Sequence, residues 1–135
     1  MATRTAEAPL NLGTVSSAVD GYFTGFNAED YHAVAALFAA DGVLLAPFEE
    51  PIVGAEAIYT YLEAEAVAMR ATPVEVETEV DADGIQRVVV RGRVKTLLFT
   101  VAVRWTFVLT AVDTIQSAEI KLMASLQELM QLDRG

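Results

Sequence analysis

The spacing of hydrophobic residues changes near residue 70, from the three- and four-residue intervals of helices to the alternation of strands. Before that point, apolar side chains recur on one face of each segment, and glycines or prolines separate the segments. After it, Val74, Val76 and Val80 alternate with glutamates, as in a half-buried strand. The pattern predicts three helices, over about 15–25, 28–40 and 55–69, and one short strand over about 43–46. It also predicts four long strands, over about 72–80, 85–99, 101–111 and 115–124.

Polar residues at the predicted helix starts support these limits. Thr14 or Ser16 can cap the first helix and Asn27 the second, because a side-chain oxygen accepts a hydrogen bond from a free N–H of the first turn. Ser125 and Glu128 form a capping box that predicts a short C-terminal helix.

The charges of two neighbouring strands suggest how these strands pair. A three-residue turn between them would place Glu79 opposite Arg87 and Glu75 opposite Arg91. Five of the nine basic residues lie between Arg87 and Arg104. This basic zone has two interpretations, a nucleic-acid surface or pairing with the acidic strand beside it, and the second is the simpler.

Helices followed by long strands predict an α+β fold with the helices on one face of a strongly curved antiparallel sheet. Such a sheet forms a cone-shaped barrel with an apolar interior, a common place for a small-molecule pocket. The chain has 135 residues, 53% of them hydrophobic, which suffices for one domain with a sizeable core. We expect a flexible polar arm over 1–13 and a single domain over 14–135.

Composition excludes several classes of protein. The net charge of −10 argues against binding to nucleic acid or to an anionic membrane. The chain has no cysteine, which excludes a disulfide scaffold, and its single histidine, His32, cannot build a histidine-rich metal site. Apolar runs are too short for a membrane span, and the start of the chain does not resemble a secretory signal.

Candidate catalytic groups are few. Neither a Gly-x-Ser-x-Gly elbow nor a phosphate-binding glycine loop is present in the sequence. An acid–base site in the cone would need an inward carboxylate, and Asp20, Asp41, Glu65 and Glu119 are the candidates. Only Glu65 lies near the inward side of a predicted helix. Because the predicted interior is nearly all apolar or aromatic, the sequence favours binding over proton transfer.

Two aromatic residues combine an inward position with a polar group. Tyr22 on the first helix and Trp105 in a long strand are both hydrogen-bond donors. They can point at one acceptor, such as a ketone oxygen deep in the pocket, or each can pack in the core and bond to a backbone carbonyl. Composition alone leaves both alternatives open.

The segment 46–58, Ala-Pro-Phe-Glu-Glu-Pro-Ile-Val-Gly-Ala-Glu-Ala-Ile, resembles the C-terminal domain of the cyanobacterial orange carotenoid protein and its stand-alone homologues, in the nuclear-transport-factor-2-like (NTF2-like) superfamily. The resemblance covers about residues 15–133. It also includes Phe26-Asn27-Ala28, Arg104-Trp105-Thr106-Phe107 and Leu122-Met123-Ala124-Ser125.

This resemblance implies a non-catalytic, water-soluble carrier that binds one end of a ketocarotenoid, of the canthaxanthin or echinenone type, without a covalent bond. By the resemblance, Tyr22 and Trp105 hydrogen-bond the keto oxygen and shift the absorption to the red. The apolar positions that would line the tunnel are Met69, Leu98, Phe99, Phe107, Ile120 and Leu122.

The resemblance also implies partners and a setting. The family's stand-alone members are homodimers that hold one carotenoid across both subunits and exchange it with helical carotenoid proteins, the N-terminal domain homologues. We expect photoprotection and carotenoid transport in the cyanobacterial cytoplasm, with only transient membrane contact for pigment uptake. No nucleic acid is expected.

The chain departs from the family at several positions. It lacks the cysteine of a redox-sensitive inter-subunit disulfide, and Leu98-Phe99 replace a Trp-Phe pair before a shortened loop. Glu65 matches a glutamate that pairs with a second domain in the two-domain protein. Two alternatives stay open beside the carrier: a small isomerase or cyclase that uses Glu65 or another buried acid, and a non-catalytic dimerisation domain whose cone is filled.

Overall fold

The structure is a computed structural model, and it describes residues 10–123. A 3₁₀ turn at Leu12–Thr14 precedes the first helix. The helices are α1 (Ser17–Asn27), α2 (Tyr31–Ala36) and α3 (Ala55–Glu65). The strands are β1 (Phe38–Leu45), β2 (Ile52–Val53), β3 (Arg70–Val80), β4 (Gln86–Lys95), β5 (Thr100–Leu109) and β6 (Ile115–Met123).

The start of α1 is confirmed and the start of α2 is corrected. The Ser16 hydroxyl accepts a hydrogen bond from the Val19 N–H at 3.1 Å, as an N-cap does. Asp30 caps α2, so the prediction that Asn27 does so is wrong. Asn27 still belongs to α1, and the chain turns between the two helices at Glu29, whose φ is +58°.

The second helix is shorter than its hydrophobic spacing predicts. It ends at Ala36, and Phe38 already pairs with Ile115 of β6. The segment predicted as the end of α2 is therefore the start of β1, because tertiary pairing overrides a local helical pattern.

Six strands form one sheet in the order β2-β1-β6-β5-β4-β3. Strands β1 and β6 run parallel, whereas the other neighbours are antiparallel. The predicted α+β, NTF2-like fold is confirmed, with two differences. The sheet is mixed rather than wholly antiparallel, and it is curved but not closed into a barrel, since β2 and β3 are its two edges.

The hairpin of β3 and β4 has the predicted register, with Glu79 opposite Arg87 and Glu75 opposite Arg91. Each ion pair forms instead with an acid two residues further along the chain, Arg87 with Asp81 at 3.4 Å and Arg91 with Glu77 at 3.5 Å. The carboxylates around the basic zone agree with the simpler of its two interpretations. These pairs are partly exposed, so they add little stability.

The pairing of β3 with β4 is irregular between Pro73 and Glu75. Gly92 of β4 lies opposite Pro73, and a Cβ at this position would overlap the carbonyl oxygen of Thr72. Glycine is required because the two backbones approach each other too closely for a side chain.

The core lies between the helices and the inner face of the sheet. Strand β5 shows the predicted alternation, with Val103, Trp105, Phe107 and Leu109 buried. Leu12, which falls in the predicted arm, is also buried, with 4% of its surface exposed. The rest of the arm over 1–9 and the predicted C-terminal helix lie outside the described residues. Within residues 10–123, no helix is long and apolar enough to cross a membrane.

Candidate ligand-binding site

An apolar cavity of about 270 Å³ lies between α1, α3 and the inner face of the sheet. The helices contribute Tyr22, Phe26, Tyr61 and Leu62, and the strands contribute the opposite wall. Its size suits one ring of a larger molecule and is just below the usual range for ligand pockets. The cavity is the feature that a filled, purely associative domain would lack.

Tyr22 and Trp105 both line this cavity. Tyr22 is 1% exposed and Trp105 is 2% exposed, so both lie at its deep end rather than at its mouth. The burial of both results from periodicity: Tyr22 is on the inner face of α1, and Trp105 is on the inner face of β5.

Edge-to-face aromatic contacts hold the two side chains in place. The Tyr22 ring lies 5.2 Å from Phe23 and 5.1 Å from Phe107, in both cases nearly perpendicular. Phe23 in turn meets the indole of Trp105 at 4.8 Å and 87°. Such contacts contribute about 0.5–1.5 kcal/mol each beyond burial, so the deep end of the cavity is well ordered.

Burial keeps the Tyr22 hydroxyl protonated. Loss of water around the group raises the pKa of Tyr22 far above its usual range, and the Trp105 side chain, acting as a hydrogen-bond donor, lowers it only in part. The deep end of the cavity therefore presents a neutral phenol and an indole N–H side by side. It is suited to an uncharged acceptor, such as a carbonyl oxygen.

Four of the six predicted apolar lining residues reach the cavity. Met69, Phe99, Ile120 and Leu122 are part of its wall. Leu98 is not, because β4 ends at Lys95 and Leu98 lies in the turn to β5, where 87% of its surface is exposed. The period-two pattern extended that strand too far.

Phe107 is the other predicted lining residue that is not in the cavity wall. It is fully buried behind the Tyr22 ring, with their centroids 5.1 Å apart. Phe107 supports the wall from behind rather than forming part of it.

Tyr61 is a lining residue that the predicted site does not include. It lies on α3 one helical turn before Glu65, and both residues face the cavity. Burial raises the pKa of Tyr61, and the nearby carboxylates of Glu49 and Glu65 raise it further. The hydrophobic spacing of α3 could have identified this residue, because it places Tyr61 on the same apolar side as Ile58 and Leu62.

The mouth of the cavity is more polar and more exposed than its deep end. Glu65 is exposed there, and Phe99 and Leu122 have 58% and 48% of their surface exposed. Among the described residues, Glu65 is the only carboxylate of the wall.

The single histidine lies away from the cavity. His32 is exposed on α2 and stacks on Tyr59 at 3.8 Å. Within residues 10–123, no group of three or more His, Cys, Asp or Glu side chains is arranged to hold a metal ion.

A comparison with known families identifies the class of this chain: residues 19–124 match the model of the SnoaL-like domain family, and the chain belongs to that family. Among curated proteins, it is 32% identical over 126 residues to the orange carotenoid-binding protein of Synechocystis, a match that covers 90% of this chain and 40% of the relative. The chain thus spans about 40% of the length of the curated relatives it matches.

Solved structures show the same similarity. The orange carotenoid protein of Anabaena, in a structure binding canthaxanthin, matches with a TM-score of 0.78 and 33% identity, over 86% of this chain and 39% of that one. The resemblance to the C-terminal region of these proteins is therefore confirmed. A putative polyketide cyclase from Sinorhizobium meliloti, 24% identical over 83% of this chain and 100% of that one with a TM-score of 0.66, shares the fold alone.

Proposed function

We propose that this protein is a non-catalytic carrier that binds one end of a ketocarotenoid in its cavity. The observation that carries the proposal is the pair of buried donors, Tyr22 and Trp105, at the deep end of an otherwise apolar cavity. The match to a protein whose structure contains canthaxanthin supports it.

Each cavity residue has a separate task in this proposal. The Tyr22 hydroxyl and the Trp105 indole N–H each donate a hydrogen bond to the ketone oxygen, and the apolar wall excludes water from the ring. A conjugated polyene supplies visible absorption when bound, and two donors on its terminal carbonyl would shift that absorption to the red. Both donors already lie together at the deep end, so an incoming ketone would have only to replace the hydrogen bond between the Trp105 indole and the Tyr22 hydroxyl.

The rest of the ligand would extend beyond the mouth. The cavity of about 270 Å³ suits a ring, whereas a carotenoid is far longer. The proposal therefore includes a homodimer that covers the protruding half, and pigment exchange with helical carotenoid proteins. Exposed apolar residues at and near the mouth, including Phe99 and Leu98, would suit such contacts.

The setting that we propose is the cytoplasm of a cyanobacterium, in carotenoid transport and photoprotection. The similarity to the orange carotenoid-binding protein of Synechocystis supports it.

An isomerase or cyclase of the same fold is the second candidate, and Glu65 is the feature that favours it. Glu65 is the carboxylate of the cavity wall among the described residues. Glu65 lies at the exposed mouth, however, whereas the two buried polar groups at the deep end, Tyr22 and Trp105, are both hydrogen-bond donors.

The test is the absorption of the protein expressed in cells that make canthaxanthin. The wild type should copurify with a red-shifted pigment in a dimer-sized fraction. Trp105→Phe and Tyr22→Phe should each reduce the red shift, because each removes one donor from the carbonyl. Tyr59→Phe is the matched control, since its hydroxyl donates instead to Glu63 at 2.7 Å on the outer side of α3. A colourless wild type would refute the carrier and leave the enzyme as the better candidate.

A further inference from the structure

Besides Tyr22 and Trp105, the cavity wall has two hydroxyl side chains, Tyr61 and Thr96, and the Thr96 hydroxyl already donates to the Phe99 carbonyl oxygen at 2.9 Å. Tyr22 and Trp105 already supply two donors, and a carbonyl oxygen has two lone pairs. Tyr61 lines the same cavity from a different helix. Because the cavity of about 270 Å³ suits a single ring, a ring held by Tyr22 and Trp105 would also lie against Tyr61.

The surroundings of Tyr61 are suited to a ligand hydroxyl rather than to a second ketone. Glu65, one helical turn further along α3, lines the cavity beside it, and the carboxylate of Glu49 acts on it from the loop after β1. A phenol can donate or accept, and a carboxylate only accepts. A ligand O–H can donate to either group, whereas a carbonyl oxygen would be repelled by the carboxylates.

We propose that Tyr61 is a specificity-determining residue. It selects a terminal ring that carries a hydroxyl on the carbon bonded to the carbonyl carbon, while Tyr22 and Trp105 hold the ketone oxygen. This inference rests on the proposed function. The ligand class is an α-hydroxy ketone ring. Tyr61 contacts the hydroxyl, while the ketone contacts remain those of a plain keto ring.

The neighbouring tyrosine of α3 provides a matched control. Tyr59 carries the same hydroxyl two residues earlier, but it is outside the cavity wall, stacked on His32 and bonded to Glu63. Tyr59→Phe and Tyr61→Phe therefore make the same chemical change on the two sides of one helix.

The experiment is a competition between two pigments. The pigment-free protein is offered equal amounts of canthaxanthin, which has the ketone alone, and astaxanthin, which adds the neighbouring hydroxyl. The bound pigments are then extracted and their ratio is measured by chromatography. Because the ratio is taken within one sample, it does not depend on the fraction of each variant that is folded.

The wild type should bind relatively more astaxanthin than Tyr61→Phe does, by about fivefold in the ratio, since one hydrogen bond contributes about 1 kcal/mol. Tyr59→Phe should keep the wild-type ratio. An unchanged ratio in Tyr61→Phe would overturn the role of Tyr61, and if canthaxanthin still binds with a red shift, the proposed function stands. If wild-type protein binds neither pigment, both proposals fail.

Discussion

Asn27 connects α1 to the edge strand β3, and its removal should weaken the fold strongly. Its side-chain amide donates to the carbonyl oxygen of Ala71 at 2.8 Å, and its carbonyl oxygen accepts from the Ala71 N–H at 2.8 Å. Ala71 is 3% exposed, so water has little access to the groups that Asn27→Ala would leave without a partner. A buried polar group left in this way costs about 1–3 kcal/mol. We expect a loss of about 2–4 kcal/mol in the free energy of unfolding, measured by urea denaturation.

The control is the chain's other asparagine. Asn11 accepts one exposed hydrogen bond, from the Gly13 N–H at 3.1 Å. Asn11→Ala should therefore cost less than about 1 kcal/mol, near the lower end for a lost cap. Equal losses in the two variants would refute the reasoning, because the number and burial of the hydrogen bonds would then have no effect on stability.

Three further changes test other parts of the structure. Gly92→Ala should lower the free energy of unfolding, measured in urea, by about 1–3 kcal/mol, because the new Cβ would overlap the Thr72 carbonyl oxygen. An unchanged free energy of unfolding would contradict this, because β3 and β4 would then move apart without cost. Ser16→Ala should cost about 1–2 kcal/mol in thermal unfolding, because Ser16 caps α1 and donates to Asp113 at 2.7 Å; wild-type stability would contradict this. Stability should fall as pH rises above about 10, because the Tyr22 phenol ionises more readily in the unfolded chain, and Tyr22→Phe should flatten this slope; an equal slope in both proteins would refute it.

Much of the sheet could be predicted because local patterns and tertiary structure agree there. The alternation in β5 gives its buried face, and the charges of the β3–β4 hairpin give its register. The β1–β6 pairing could not be predicted in this way. Phe38 and Ile115 are far apart in the sequence, and Phe38 also fits the hydrophobic spacing of the helix before it.

The candidate site, too, could be predicted from the sequence only in part. Tyr22 and Trp105 were accessible to sequence analysis because each has an inward position and a polar group. Leu98 was misplaced because a hairpin turn interrupts its strand: Thr96 and Phe99 close that turn through the Thr96 N–H and the Phe99 carbonyl at 2.8 Å. An alternating pattern does not show where a turn of apolar residues begins.

The two ends of the cavity differ in how tightly their side chains are packed, and this difference bears on how a carrier could bind firmly and still release its ligand. At the deep end, the Tyr22 ring packs against Phe23, Phe26 and Phe107, with centroids within 6.1 Å, so the donor cannot turn away without breaking several contacts. At the mouth, about half of the surface of Phe99 and of Leu122 is exposed, so their rotamers can change at low cost. If the proposed function is right, the groups that hold the ring are in place before binding, whereas the side chains at the mouth can adapt to a second subunit or to an acceptor. In the proposed carrier, a ligand held by two hydrogen bonds at one end would leave in steps, because the protein surface around its other end would be exchanged first.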